Sequence, residues 1–335
     1  MKRLFLILFV LLYSTSLFPQ RGFFNTKDST EIDCSYSSLD LGSHNSGISF
    51  GNSPIWSGLR FNFSDCGIKE INGINITLWK PERSHGSSIN GIALGLAPFA
   101  ETIQGISFGL AAVVAEQELT GINVGGFAVV ADGDIRGINI GGLATVAKGN
   151  LLGINLGGLA VVAEGNLFGI NFGGLAVVTK GEMNGLNFGG IAVVSQNNMF
   201  GLNFGGLAVV SKGELKGINF GGLAVVAEGE LTGLNSALIA LVSKEGITGL
   251  NIVGYKVETS KINGLNVSLG WTDIDDLKGI SISCYNKIRG TQTGLVIGLF
   301  NVADELNGVQ IGLLNIAKNN SGLAKVLPFI NLHFD

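Results

Sequence analysis

Along most of the chain, apolar and polar positions recur with a fixed period. Gly at 105, 121, 137, 153, 169, 185, 201, 217, 233 and 249 is followed each time by Ile or Leu, so the unit is 16 residues long. Asn stands two places after the glycine from Asn123 to Asn251. A Gly-Gly pair follows at 125, 141, 157, 173, 189, 205 and 221, and then comes Leu-Ala-Val-Val or a close variant. One unit reads Gly217-Ile218-Asn219-Phe220-Gly221-Gly222-Leu223-Ala224-Val225-Val226-Ala227-Glu228-Gly229-Glu230-Leu231-Thr232. The phase continues less regularly at Gly73 and Gly91 before this block and at Gly264, Gly279, Gly294, Gly308 and Gly322 after it, with loops absorbing the drift. Period-2 segments such as Ile218/Phe220 and Leu223/Val225, the β-branched content and the Gly-centred breaks read as strand, corner, strand, turn. Four glycines per unit would each cost a helix about 1 kcal/mol relative to Ala.

Two all-β architectures accommodate this unit. In a repeat β-solenoid of about 16 residues per coil, coils stack ~4.8 Å apart and identical residues lie over one another. Ile218, Phe220, Leu223 and Val225 are then expected to point inward, with the Asn series forming a ladder of amides and Phe172, Phe188, Phe204 and Phe220 stacking likewise. About seventeen coils give a rod on the order of 80 Å long. In the alternative, an outer-membrane antiparallel β-barrel, each repeat is one strand of ~11 residues with hairpin turns at sites such as Glu228-Gly229. Runs such as Gly264-Leu265-Asn266-Val267-Ser268-Leu269 and the closing Ile330-Asn331-Leu332-His333-Phe334 alternate as a barrel wall does.

The turn position reads Asp132, Lys148, Glu164, Lys180, Gln196, Lys212, Glu228, Lys244. Stacked coils would set mostly opposite charges beside one another, while a meander would sort them to opposite rims, so both folds remain sensible. The second half of the unit favours the solenoid. Leu223-Ala224-Val225-Val226-Ala227 would line both faces of a barrel strand with apolar residues, whereas a wide barrel has a wet, polar lumen.

Composition narrows the function. Charged residues make up 14% of the 335 residues, against a usual ~25%, and the formal net charge of -4 has no Lys/Arg cluster to neutralise phosphates, which argues against nucleic acid. Met1-Lys2-Arg3, the apolar run Leu4 to Tyr13 and Ser14-Thr15-Ser16 have the layout of a secretory signal peptide. The expected organisation is residues 1–20 signal peptide, 21–72 N-terminal cap or irregular region, 73–321 glycine-led repeats and 322–335 a closing strand. Cys34, Cys66 and Cys284 are an odd number for an oxidising compartment: either Cys34 and Cys66 form a staple, or all three are small buried or free thiols.

Candidate chemistry is sparse. His44, His85 and His333 are scattered, and none sits in an HExxH or triad-like setting. Asp132-Gly133-Asp134 lacks the Gly-Gly-x-Gly-x-Asp wording of calcium β-rolls and reads as a solvated turn. Glu228 with Glu230 is replaced by Lys212 with Glu214 and Lys180 with Glu182 in other units, as on a solvated face. No catalytic, cofactor-binding or metal-ligating residue is assigned, and no cofactor. Trp56, Arg60, Asp65 and Cys66, and the loop Trp79-Lys80-Pro81-Glu82-Arg83-Ser84-His85, are where individual function would sit, though capping the first coil is the simpler role.

The stretch Gly294-Leu295-Val296-Ile297-Gly298-Leu299-Phe300-Asn301, then Glu305-Leu306-Asn307-Gly308-Val309-Gln310-Ile311-Gly312-Leu313-Leu314-Asn315 and Leu327 to Phe334, resembles an uncharacterised family of bacterial surface-repeat proteins described from leptospires. Gly73-Ile74-Asn75-Ile76-Thr77-Leu78-Trp79 and the central repeats are similar to it too. The resemblance implies a surface or outer-membrane location and carries over no catalytic residue. The expected function is a non-enzymatic exported cell-envelope protein, a surface or outer-membrane-associated β-repeat scaffold for adhesion, shielding or assembly; the alternatives are an outer-membrane β-barrel pore or anchor, and a periplasmic location.

Overall fold

Parallel pairing between consecutive repeats decides the architecture. In the computed structural model, which describes Cys34 and residues 36–79, 81–82 and 86–334, each 16-residue unit supplies a seven-residue strand such as Leu215–Gly221 and a four-residue strand such as Ala224–Ala227. Both pair in parallel and in register with the same strands one repeat away: Leu215↔Leu231, Gly217↔Gly233, Asn219↔Asn235, and Ala224↔Ala240. The protein is a β-solenoid, and the antiparallel one-strand-per-repeat barrel is overturned. The expected leader, residues 21–33 and His85 lie outside the described residues.

The interior follows from which residues alternate inward. In the unit above, Leu215, Asn219, Val225 and Ala227 are buried, while Ile218, Phe220 and Leu223 are exposed. The expected inward set is therefore correct only at Val225. The alternation starts at the residue two places before the glycine: Leu215 turns in, Lys216 out, Ile218 out, Asn219 in, Phe220 out. That inward position forms a column of the largest buried side chains, from Trp56, Ile71, Ile89, Ile103 and Leu119 through Leu167, Met183, Met199 and Leu215. Stacked apolar side chains of this size, each worth about 1.5–3 kcal/mol when fully buried, make a continuous core along the axis.

The leading glycine is required by its backbone. Every member of the column from Gly47 to Gly308 has a positive φ, for example +121° at Gly217, a region that L side chains rarely adopt. Its missing Cβ also leaves space for the neighbouring coil: a Cβ on Gly217 would lie 2.1 Å from the carbonyl oxygen of Gly201. The Gly-Gly corner has the same cause, since a Cβ on Gly222 would lie 1.9 Å from the Gly206 oxygen.

Repeat drift is absorbed where expected, in the turn. The register offset is 16 through Val242↔Glu258 but becomes 15 from Ile247↔Ile262 onward, so one residue is lost between the short strand and the next long one. The offset then falls to 14 at Gly294↔Gly308. At the N-terminal end the coils begin earlier than expected: Gly47, Gly58 and Gly73 are already in register, so residues 46–72 belong to the solenoid and not to an irregular region. Gly322, expected to continue the series, lies instead in a short 3-10 turn, Gly322–Lys325.

Both ends are closed by antiparallel strands. Ser38–Ser43 folds back on Ser46–Gly51 through His44 and Asn45, which adopt φ of 52° and 54°. Val326–His333 runs antiparallel to the last coil, pairing Gly308↔His333 and Ile311↔Ile330. These edges carry features that discourage further pairing: Asp40 accepts hydrogen bonds from Ser38 and Ser49, and Pro328 and the positive-φ Phe329 interrupt the closing strand.

Candidate functional site

Three sets of side chains are candidates for function: the inner polar column, the charged turns and the outer apolar columns. The inner column is a ladder of asparagines. The Asn123 amide donates from Nδ2 to Asn139 Oδ1 at 2.8 Å, and the same bond repeats from each Asn to the next at 2.8 to 2.9 Å as far as Asn251. Each interior rung donates once from Nδ2 and accepts once at Oδ1, so both polar atoms of every amide before Asn251 have a partner. This ladder is sealed from solvent, with Asn219 and Asn187 fully buried, and no ligand can reach it from outside.

At the N-terminal end the same column holds a charge. Arg60 pairs in register with Ser49 on one side and Asn75 on the other, and its guanidinium donates to Asp65 at 2.5 Å, Asn75 at 2.7 Å and Asn52 at 3.1 Å. Asp65 also accepts from Asn75 at 3.1 Å and from the Thr77 hydroxyl. Arg60 and Asp65 are both buried, so the pair is committed to structure; removing one partner of such a pair costs about 3–5 kcal/mol. Trp56 heads the large apolar column. Three of the four residues marked for individual function in this region thus serve the core. The fourth, Cys66, is disulfide-bonded, whereas Cys284 is a free, exposed thiol.

The turns stack opposite charges as the sequence suggested. Lys148 meets Asp132 at 2.7 Å, Lys180 meets Glu164 at 3.0 Å and Lys244 meets Glu228 at 2.8 Å, each pair one coil apart. Asp134 is used locally as well. Partial burial pushes its carboxyl up, but hydrogen bonds from the Asn150 backbone amide, from Arg136 and from the Asn150 side chain outweigh that and leave it below its ordinary value. Asp132 and Asp134 are therefore both engaged by protein partners. Glu230 accepts from Thr248 at 2.9 Å and Glu228 binds Lys244, so these two carboxylates do not act as a pair. The exposed Lys244–Glu228 bridge is expected to contribute little: Lys244→Ala should shift the urea midpoint by the equivalent of less than about 0.5 kcal/mol, and a loss above about 1.5 kcal/mol would show that the turn column is a structural element in its own right. A shallow depression beside these turns, about 260 Å³ and lined by Glu230, Glu245, Gly246, Ile247, Thr248, Lys261 and Asn263, brings together no nucleophile and base.

His44 lies in the N-terminal hairpin turn and the His333 ring bonds Asn320 at 2.6 Å. They sit at opposite ends of the solenoid and do not converge.

The outer columns are different in kind. Ile or Leu after the leading glycine, the residue two places further on and the residue after the Gly-Gly pair all face outward. From Gly105 to Gly249 these three columns hold Ile, Leu, Val, Phe, Ala and Tyr with a single Ser236, and no charged residue. Most are exposed, among them Ile170 at 42%, Phe172 at 50% and Leu175 at 45% in one coil. Of the expected phenylalanine stack, Phe204 and Phe220 stack on the outside, 4.8 Å apart at 6°, and Phe188 is tilted against Phe204 at 34° and 6.0 Å. The signal that finds this face is the inward residue two places before the glycine, which sets the alternation for the whole strand.

The fold and these surfaces define a capped β-solenoid with a sealed amide ladder, a charged edge and an apolar face. A scan of the chain against protein-family models, a search of curated proteins and a search of solved structures each return no match.

Proposed function

We propose that this protein is a non-enzymatic, exported scaffold of the bacterial cell envelope that works by assembly. The observation that carries the reading is the division of labour around each coil. Ionisable groups are confined largely to the turn column and the ends, where they pair with one another, while a continuous apolar surface runs the length of the regular repeats. Catalysis needs convergent acid, base or nucleophile, and a repeating wall whose polar groups satisfy each other does not supply it. Exposed apolar surface of this extent marks interaction with another body. The leader-like Met1 to Ser16 and the resemblance of the C-terminal repeats to bacterial surface-repeat proteins support an envelope location.

The test is fractionation of cells producing the full-length chain. The protein is expected in the envelope or periplasmic fraction, shortened at its N-terminus by a leader's length on mass spectrometry. An unprocessed chain confined to the cytosol would refute the location. Hydrolysis of any member of an envelope-glycan panel, abolished by one carboxylate substitution, would refute the non-enzymatic reading.

A further inference from the structure

The geometry points to a second copy of this chain as the occupant of the apolar face, forming a face-to-face dimer through the columns of Ile218, Phe220 and Leu223; this rests on the assembly reading above. Three observations select that partner.

The first is size. Ile218 and Leu223 are five positions apart, at most about 16 Å of chain and less across the Gly221-Gly222 corner, and the regular coils run for about 43 Å at ~4.8 Å each, a footprint of up to about 700 Å². The largest apolar patch on a typical monomer covers about 300–600 Å², while a standard specific interface takes about 800 Å² from each partner.

The second is spacing. Along each column a side chain recurs once per coil, because equivalent positions are locked in register by the backbone: Leu202 pairs with Ile218 and Phe204 with Phe220. A surface with ridges every ~4.8 Å is matched by another surface with the same repeat, so two copies can interdigitate as paired sheets do in a dry zipper. Because the same patch would serve both partners, the contact closes as a two-fold pair and does not propagate.

The third is chemistry. The three columns offer one aliphatic hydroxyl, Ser236, over the regular block, whereas a glycan needs an array of hydrogen-bond partners beside its apolar contacts. The flanking column reads Arg136, Leu152, Phe168, Asn184, Phe200, Lys216, Thr232, Thr248. Two cations over that length, on a chain of net charge -4, give no electrostatic draw to an anionic lipid surface, which interfacial elements obtain from Lys and Arg.

The experiment measures mass in solution. The full-length chain, processed by the producing cell and purified without detergent, is examined by sedimentation equilibrium from about 1 to 100 μM, a range that brackets micromolar association, beside Phe188→Lys/Phe204→Lys. A control, Lys244→Glu/Glu228→Lys, reverses a pair on the charged turn. The expected result is a dimer of twice the processed chain mass for the parent and the control, and a rise in Kd of about 100-fold or more for the double lysine variant. All three should keep the same β circular dichroism, because Phe188 and Phe204 face outward and contribute nothing to the interior. A parent that is monomeric throughout, or a folded lysine variant that still dimerises, overturns the proposal. So does a parent that co-floats as a monomer with vesicles of phosphatidylethanolamine and phosphatidylglycerol, which would assign the face to lipid. Envelope location in the fractionation above, combined with a monomeric mass, would leave the scaffold's location standing while this dimer fails.

Discussion

Gly201→Ala is expected to destabilise the solenoid by about 4 kcal/mol, an effect far larger than a single methyl group usually has. Gly201 adopts φ +112°, and the new Cβ would lie 2.2 Å from the Gly185 carbonyl oxygen and 3.0 Å from its carbon. The dihedral alone costs an L residue about 1–3 kcal/mol. The contact cannot be relieved by a rotamer change, because the obstructing atom is backbone and is itself fixed in the ladder by Gly185↔Gly201 pairing. The coils must therefore separate locally, which strains hydrogen bonds on both sides. Gly246→Ala supplies the comparison in the same protein: its Cβ would sit 3.5 Å from the nearest atom, the Lys261 oxygen, and its cost should stay within about 1 kcal/mol. Because a solenoid's stability is a sum over neighbouring repeats, hydrogen exchange should show the Gly201 lesion as lost protection centred on the coils led by Gly185, Gly201 and Gly217. Equal melting temperatures for the two variants would mean that the glycine column does not set the coil spacing.

The same glycine explains how much was legible beforehand. A fixed period with Gly, Asn and Gly-Gly at set places identified an all-β repeat, because each of those residues answers a backbone demand that recurs once per coil. The opposite turn charges were legible too, since Lys148, Lys180 and Lys244 meet their partners one coil away. What the pattern did not reveal is which set of alternating residues faces inward. Hydrophobicity favours Ile218 and Phe220 over Asn219, yet Asn219 is the buried residue. The alternation is anchored instead by Leu215 and its equivalents, and a stacked amide escapes the usual cost of burial because its neighbours are the same amide. That is a property of the assembly of coils and is absent from any one unit. The ends failed for a related reason. Gly47 and Gly58 belong to the column although their register offset is only 11 residues, and Trp56 and Arg60 occupy inner positions that other coils fill with Leu and Asn. Irregular spacing hid a regular geometry.

Asn187→Leu tests that account of the interior most directly. Asn187 accepts from Asn171 at 2.8 Å and donates to Asn203 at 2.9 Å, so leucine, a bulkier side chain with the same number of heavy atoms, leaves the Asn171 amide N–H and the Asn203 carbonyl oxygen buried and unpaired. Rotating the amides above or below the gap does not help, since it exchanges an orphaned oxygen for an orphaned N–H. Two unsatisfied groups at about 1–3 kcal/mol each give an expected loss of about 4 kcal/mol. The end of the ladder behaves differently. Asn251 accepts from Asn235 at 2.9 Å, but its own Nδ2 has no hydrogen-bond partner. Asn251→Leu therefore orphans one donor while deleting another, and its expected cost is within about 1 kcal/mol. Urea unfolding of the two variants, supported by hydrogen exchange at the coils concerned, separates a ladder from a set of independent buried amides. In a ladder the cost depends on position, falling where the chain of bonds stops. In a set of independent amides both substitutions would cost the same, and the apolar gain from leucine would make both mild. The second pattern would remove the reason for asparagine, and with it the reason why Ile218 and Phe220 are left facing outward for a partner.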